Sequence, residues 1–269
     1  MLPIDLILVR HGQSEGNVAH RASERGDNKF FTPAFRERHS RTFRLTDKGI
    51  GQAQAAGAWI RENIHQPFDR FYVSDYARAE ETAGHLGLPN AEWRVKFQLR
   101  ERDKALMDNM PADDQKRLFA MENRQYALNP FLSYPAGGGE SIATLCLRLK
   151  AGEMEHWARE CFDKRITCIC HGHVMRALQL GLEGLGNDDF IRLDASEDRR
   201  DKIRNCQILW YTRRDPDTKR LAEHLVAVRS VCHWDKTGDY GWREIKHHKL
   251  SNKELLEKVE RYSREVNCS

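Results

Sequence analysis

Leu6-Ile7-Leu8-Val9-Arg10-His11-Gly12-Gln13-Ser14-Glu15-Gly16-Asn17 passes from an aliphatic run into an arginine-histidine pair, then into a turn with two glycines. Four consecutive Leu/Ile/Val residues read as a strand buried on both faces, as in a parallel sheet. The polar group then sits at the strand's carboxyl end, where open α/β sheets bind ligands. Gly12 and Gly16 let the backbone come close to a neighbour or ligand. An imidazole beside a permanent cation suits a nucleophile aimed at an anion. The same tripeptide is also compatible with an ordinary surface turn, so the reading depends on what distant residues add.

Two further stretches supply it. Ile166-Thr167-Cys168-Ile169-Cys170 reads as a buried strand ending in His171-Gly172-His173, with a helix from about residue 174. Asp69-Arg70-Phe71-Tyr72-Val73-Ser74 reads as another, with Arg78 near the start of a helix over 77–86. If these strands are neighbours in a parallel sheet, two imidazoles (His11, His171) and two guanidiniums (Arg10, Arg78) converge. That set suits a phosphoryl group, because guanidiniums bind its oxygens bidentately and stay charged. One imidazole can attack phosphorus while the other steadies the equatorial oxygens. Phosphoryl transfer is mostly positioning and charge stabilisation, so the site is expected to need no metal and no cofactor.

The intervening chain alternates helix and strand. Thr46 caps a helix with Leu45 and Ile50 as a hydrophobic staple, and small residues Ala53 and Gly57 on its inner face allow close packing. Trp93-Arg94-Val95-Lys96-Phe97 alternates as an edge strand does. Ser141 caps a helix reaching about residue 160, and 207–211 with 221–231 are expected to form a hairpin around Asp215-Pro216-Asp217. Residues 186–204 are charged and give no assignment. Ser251 and Glu254 form a capping box for a terminal helix over 251–266. Its Leu255, Val259, Tyr262 and Val266 share a face that docks on the domain or joins two subunits, so a homodimer is one expectation.

Two stretches break the rhythm. Residues 20–44 carry Arg21, Arg25, Arg36, Arg38, Arg41 and Arg44, and read either as a solvated loop with an aromatic anchor or as a substrate clamp. Residues 99–135 hold three prolines and a helix over 112–126. Both are expected to form a cap that sets specificity. The expected fold is α/β: a three-layer αβα sandwich with a mostly parallel central sheet, helices on both faces and an inserted helical and loop cap, in one domain over 1–269.

On these residues the chain resembles the histidine phosphatase superfamily, which includes the cofactor-dependent phosphoglycerate mutases. Arg10-His11-Gly12-Gln13-Ser14-Glu15-Gly16-Asn17 looks like its signature, and Leu45-Thr46-Asp47-Lys48-Gly49 with Gln52-Ala53 like the next block. Ser74-Asp75-Tyr76-Ala77-Arg78-Ala79 with Thr82-Ala83, then Gly139-Glu140-Ser141, then His171-Gly172 follow in order. The resemblance runs from residue 4 to about residue 183. It implies that His11 becomes phosphohistidine, that Arg10, Arg78 and His171 hold the phosphoryl oxygens, and that Asn17 lines the pocket. Asn17 could alternatively cap the helix that follows. The family's proton donor falls at Glu101, with Asp103 as the alternative, and a pocket shut off from water is expected to raise its pKa. His173 reads as a helix-start residue.

The sequence departs from the mutase pattern at two places. Asp103-Lys104-Ala105-Leu106-Met107 stands where a glycine follows the acid, and Gly16 stands where the mutases have tryptophan. Both favour hydrolysis: a phosphomonoesterase acting on a small or medium phosphorylated substrate such as a nucleotide, sugar phosphate or phosphoprotein. A mutase-type phosphotransferase and a catalytically idle phosphate-binding module are the alternatives.

Whole-chain properties narrow the class. At 269 residues, 40% hydrophobic and 31% charged, the composition is globular. A net charge of +4, from 44 basic against 40 acidic residues, is too weak to argue for nucleic acid. No apolar run approaches the roughly 20 residues of a membrane span, and no secretory leader is read at the N-terminus. Seven irregularly spaced cysteines read as reduced thiols of a cytoplasmic protein. Cys168-x-Cys170-His171-x-His173 imitates a zinc motif, but paired zinc cysteines usually sit on turns, not inside a buried strand.

Overall fold

The aliphatic run forms β1 (Asp5–Arg10), and Leu6 to Val9 are completely buried. The computed structural model describes residues 1–235, 238–247 and 249–266. Ser14 caps α1 (Glu15–Ser23), and a short α2 (Pro33–Arg36) follows. Thr46 caps α3 (Asp47–Asn63) by accepting from the Gly49 N–H, as its position before the helix requires. Then come β2 (Arg70–Ser74), α4 (Ala77–Leu86) and the half-exposed edge strand β3 (Trp93–Lys96). The helix expected over 112–126 is two, α5 (Ala112–Leu118) and α6 (Ala120–Leu128), because Phe119 at φ −124°, ψ 50° leaves the helical region.

Ser141 caps α7 (Ile142–Leu149), which passes through a π-helical turn at Lys150–Met154 into α8 (Glu155–Glu160). β4 (Arg165–Cys170), α9 (Gly172–Glu183), α10 (Asn187–Ala195), β5 (Ile208–Thr212), β6 (Ala227–Val231), β7 (Asp239–Glu244) and α11 (Asn252–Val259) complete the described order. β6 begins at Ala227, six residues later than the sequence suggests; Leu221 only bridges Arg214 near the turn.

The seven strands make one sheet in the order β3-β2-β4-β1-β5-β6-β7. The first four are parallel, and β5, β6 and β7 extend the sheet antiparallel. This is the α/β sandwich expected, with β7 as an addition. Alternate residues of each strand face opposite layers. Leu6, Leu8, Tyr72, Cys168 and Cys170 pack with Trp157 and Leu178 on one side. Ile7, Val9, Val73 and Ile169 pack with Ala53, Ile60 and Ala83 on the other. Cys168 and Cys170 are therefore core residues, and the six cysteines described are unpaired. Cys268 lies outside the described residues.

α11 does not dock through its apolar face. Leu255, Val259 and Tyr262 are each about half exposed, and Lys258 and Arg261 instead tie the helix to Asp188. No helix among the described residues is long and apolar enough to cross a membrane.

Candidate active site

Register brings the two histidines together. Arg10 lies opposite Cys170 in the β1–β4 ladder, so the next residues, His11 and His171, leave adjacent strands at the same level. The His11 N–H donates to the Cys170 carbonyl (2.9 Å), which prolongs the ladder by one bond. Their rings meet edge to face with centroids 5.1 Å apart, and both are buried. β2 ends one strand further, at Ser74, and α4 then presents Arg78 from its first turn.

The loop after His11 is held against α3 at a backbone distance that only glycine allows. A Cβ on Gly12 would overlap the Gly49 carbonyl, and one on Gly49 would overlap the Gln13 carbonyl. Gly12 N–H donates to Thr82 Oγ1 (3.0 Å) and Gln13 N–H to Gln52 Oε1 (3.0 Å), so the recurring Thr82 and Gln52 pin the loop.

His11 Nδ1 lies 2.7 Å from the Gly12 carbonyl oxygen, which can only accept, so Nδ1 carries the proton. Nε2 is then the lone-pair nitrogen, and it accepts from Arg78 Nε at 3.2 Å. Burial, reinforced by Arg78, His171 and Arg10, holds the His11 pKa well below the ordinary imidazole value. His171 is lowered in the same way by burial and by Arg78. Its Nε2 pairs with Ser74 Oγ at 2.8 Å while its Nδ1 is buried with no partner. Ser74 Oγ also accepts from the Tyr76 N–H and keeps a second lone pair, so it can either donate to His171 Nε2 or accept from it.

Arg10 donates to the Ile203 carbonyl (2.7 Å), and its Nε is buried without a partner. Burial lowers its pKa to about 10, so it stays charged at neutrality. Arg78 is lowered by burial too; it donates to the Ser40 carbonyl (2.8 Å) and lies over the Tyr76 ring. Arg10, His11 and Arg78 line a cavity of about 410 Å³ together with Asn17 and Glu101.

Glu101 is held from both sides. Leu99 before it is completely buried, and Arg102 after it donates to the Glu140 and Ser133 carbonyls. Glu101 Oε1 accepts from the Arg102 N–H (2.9 Å) and lies 3.7 Å from His173 Nδ1. Burial pushes its pKa up, but the interaction with His173 3.7 Å away and the Arg102 N–H outweigh that and hold it well below the usual carboxylate range. The raised pKa expected from the sequence is therefore corrected: the unliganded site holds an ionised Glu101. Asp103 turns away from the cavity, its Oδ1 accepting from the Ala105 N–H.

Asn17 sits at the third position of α1. Its Oδ1 accepts from the Ser14 N–H and from Asn205 Nδ2, so it closes the capping box and lines the cavity at once. Asn205 was not visible in the sequence reading. Its Nδ2 also lies 3.1 Å from the His11 carbonyl, and its Oδ1 accepts from Arg21. Of the arginines in 20–44 only Arg21 lines the cavity. Arg38 pairs with Glu15, Arg41 with Asp75 and Arg44 with Glu81, while Phe31, Phe35 and Phe43 stack beneath them. This is a loop with an aromatic anchor, held by ion pairs, and not an arginine clamp. The unassigned stretch 186–204 contributes Phe190, Asp194 and Lys202 to the wall.

The sequence profile of the histidine phosphatase superfamily (branch 1) matches residues 6–199. The chain belongs to this superfamily. Among its sequence relatives is a 2,3-bisphosphoglycerate-dependent phosphoglycerate mutase of Beijerinckia indica, 30% identical over 190 residues, covering 67% of this chain and 81% of the relative. A mutase of the same name from Brucella melitensis biotype 1 is 29% identical over 195 residues, covering 70% and 85%. Solved histidine phosphatase folds superpose on this one. The α-ribazole phosphatase of Shigella flexneri does so with TM-score 0.59 at 17% identity, covering 81% of this chain and 96% of that one. A mycobacterial glucosyl-3-phosphoglycerate phosphatase gives 0.54 at 23%, covering 77% and 92%. In this superfamily member Arg10, His11 and Arg78 thus line one cation-rich cavity, with the fully buried His171 ring packed against His11.

Proposed function

We propose that the protein hydrolyses a small or medium-sized phosphomonoester through a phosphohistidine on His11. The observation that carries the phosphoryl-transfer step is the neutral His11 ring, with its Nε2 lone pair in a cavity walled by Arg10 and Arg78. An incoming phosphate takes over Arg78 as its counter-charge and thereby uncovers Nε2. Arg10, Arg78 and His171 then surround the transferring PO3 group, where donors fixed in advance stabilise the charge that develops. Glu101 protonates the leaving oxygen, and as a carboxylate afterwards takes the proton of the attacking water. The approach of a phosphate dianion raises the Glu101 pKa, which supplies the proton-holding form that the free site lacks.

Water as the acceptor is supported by the departures at 103–107 and at Gly16, over which the Phe43 ring closes. A second reading, transfer to a substrate hydroxyl, is favoured by the sequence relatives, which are mutases, and on similarity alone it stands ahead. In either case the substrate is a small phosphorylated molecule, and the cap residues of 20–44 and 99–135 would select it.

A panel of phosphorylated metabolites assayed for phosphate release decides this. Release that disappears in His11→Ala, with acid-labile phosphate trapped on residue 11, is the expected result. Isomerisation of 3-phosphoglycerate dependent on a bisphosphate primer, without net phosphate release, would select the mutase. No turnover of any ester by the unmutated protein would leave a phosphate-binding module.

A further inference from the structure

His173 reads as no more than a helix-start residue in the sequence, yet its ring lies beside the carboxyl that the chemistry needs. It is the second residue of α9, two positions beyond His171, so a single strand-to-helix turn delivers one imidazole beneath the phosphoryl site and another beside Glu101. Its Nδ1 is 3.7 Å from Glu101 Oε1, the oxygen already held by the Arg102 N–H. The His173 side chain is about one-third exposed, and that of Glu101 about one-fifth. With Arg102 and Lys104, His173 lines both the catalytic cavity and a second chamber of about 200 Å³ that Tyr126 and Tyr134 also line. It touches the acid on one side and an opening on the other.

We infer that His173 and Glu101 act as one proton-holding pair, in which His173 positions the carboxyl and resupplies the proton that Glu101 gives to the leaving group. This rests on the phosphoryl-transfer reading above. In the resting pair the proton is on His173 and Glu101 is a carboxylate. With ester bound, the proton passes from His173 Nδ1 to Glu101. It goes on to the ester oxygen as the P–O bond breaks and the bond from His11 Nε2 to phosphorus forms. In the second half, water attacks phosphorus as the P–N bond breaks, its proton goes to Glu101, and the proton returns to His173.

Every charged group around the pair has to be considered. Arg10 from β1, Arg78 from α4, His171 from the turn before α9 and Arg102 from its own loop all interact with Glu101. Arg102, Lys104 and Glu122 line the chamber on the far side of His173. The arginines favour the carboxylate but hold no exchangeable proton at neutrality, and His171 is kept neutral by burial. His173 sets an imidazole beside the carboxyl and also lines the second chamber.

The test compares wild type, His173→Asn and Glu101→Gln. In His173→Asn, kcat for a poor leaving group (β-glycerophosphate) should fall at least tenfold more than kcat for p-nitrophenyl phosphate, whose departure needs little protonation. The basic limb of kcat/KM for the poor leaving group should also move down by a pH unit or more, because the proton must now rest on the carboxyl itself. By NMR, with Glu101→Gln identifying its resonance, the Glu101 carboxyl in His173→Asn should titrate higher than in wild type, because His173 helps to hold it down. Equal losses on both esters with an unmoved limb, or a Glu101 titration indifferent to His173→Asn, would overturn the inference. A wild type that hydrolyses neither ester would instead overturn the phosphoryl-transfer reading, and the NMR titration would still decide the pair.

Discussion

Arg78 Nε donates to His11 Nε2 across 3.2 Å, so in the unliganded protein the candidate phosphate-binding cation occupies the candidate nucleophile's lone pair. Both side chains are buried, and the contact gives each a partner. A bound phosphate must displace this contact, exchanging an N–H···N bond for charge-assisted bonds to oxygen.

Arg78→Ala should therefore lower kcat/KM for p-nitrophenyl phosphate about a hundredfold or more, the usual effect of losing one transition-state donor. It should also raise the His11 pKa, since Arg78 is the largest of the charges depressing it after burial. The sign is testable: the acid limb of kcat/KM should move to higher pH in the variant. Steady-state profiles between pH 4 and 8 measure both effects.

Acid should destabilise the fold before any carboxylate is protonated. His11 and His171 are held neutral in the native state, well below the value an unfolded chain gives them. Below about pH 6.5 the unfolded state binds protons that the native state does not, so stability falls as pH falls. Two such groups give a slope approaching about 3 kcal/mol per pH unit until the depressed native values are reached. Urea midpoints at pH 7.5, 6.0 and 5.0 should decline in wild type and decline less steeply in His171→Gln.

Helices α3 and α4 meet at a point where one has no side chain. A Cβ on Gly57 would overlap the Leu86 carbonyl and Cα, atoms of a backbone that cannot swing aside. Gly57→Ala gains helix propensity but should still lose about 1–3 kcal/mol through overpacking. A thermal melt should show a fall of several degrees, with kcat on p-nitrophenyl phosphate little changed, because the clash lies away from the cavity.

What could be read from the sequence was whatever a local pattern encodes. β1 and β4 announce themselves because aliphatic runs buried on both faces contain nothing else, and each ends in a histidine. Thr46, Ser141 and Ser251 mark helix starts because a cap needs a side-chain oxygen at one position, here a hydroxyl. β7 was missed because its residues are largely exposed, which blurs the alternation that signals a strand. α10 was missed because Gly186 supplies no hydroxyl, and the Asp189 carboxylate alone accepts the Gly186 N–H at its start. The break at Phe119 and the π-helical turn after Leu149 are set by tertiary packing and leave no mark on composition. His173 could be read as a helix start but not as a neighbour of Glu101, since only the folded chain brings residues 101 and 173 together.

Asn205 is the sharpest case of a site residue that only the fold reveals, and it carries the last prediction. It lies in the irregular segment just before β5, completely out of water, and no motif surrounds it. Its amide nevertheless gives protons to the His11 carbonyl and to Asn17 Oδ1 and accepts one from Arg21. It thus ties together the catalytic turn, the first helix and one cavity-wall cation. Asn205→Ala would leave the His11 carbonyl with only the long Cys206 N–H contact (3.3 Å) and would free Arg21 to swing. Losing a buried donor of this kind costs about 1–3 kcal/mol of stability. A misplaced His11 should add a loss in kcat of about tenfold, equivalent to roughly 1.4 kcal/mol on the barrier. Asn205→Asp keeps the shape but replaces the donating amide by an acceptor, so it should be at least as damaging as alanine. Were Asn205 merely filling space, aspartate would instead restore both the melting temperature and kcat, and the two measurements on the two variants separate these outcomes.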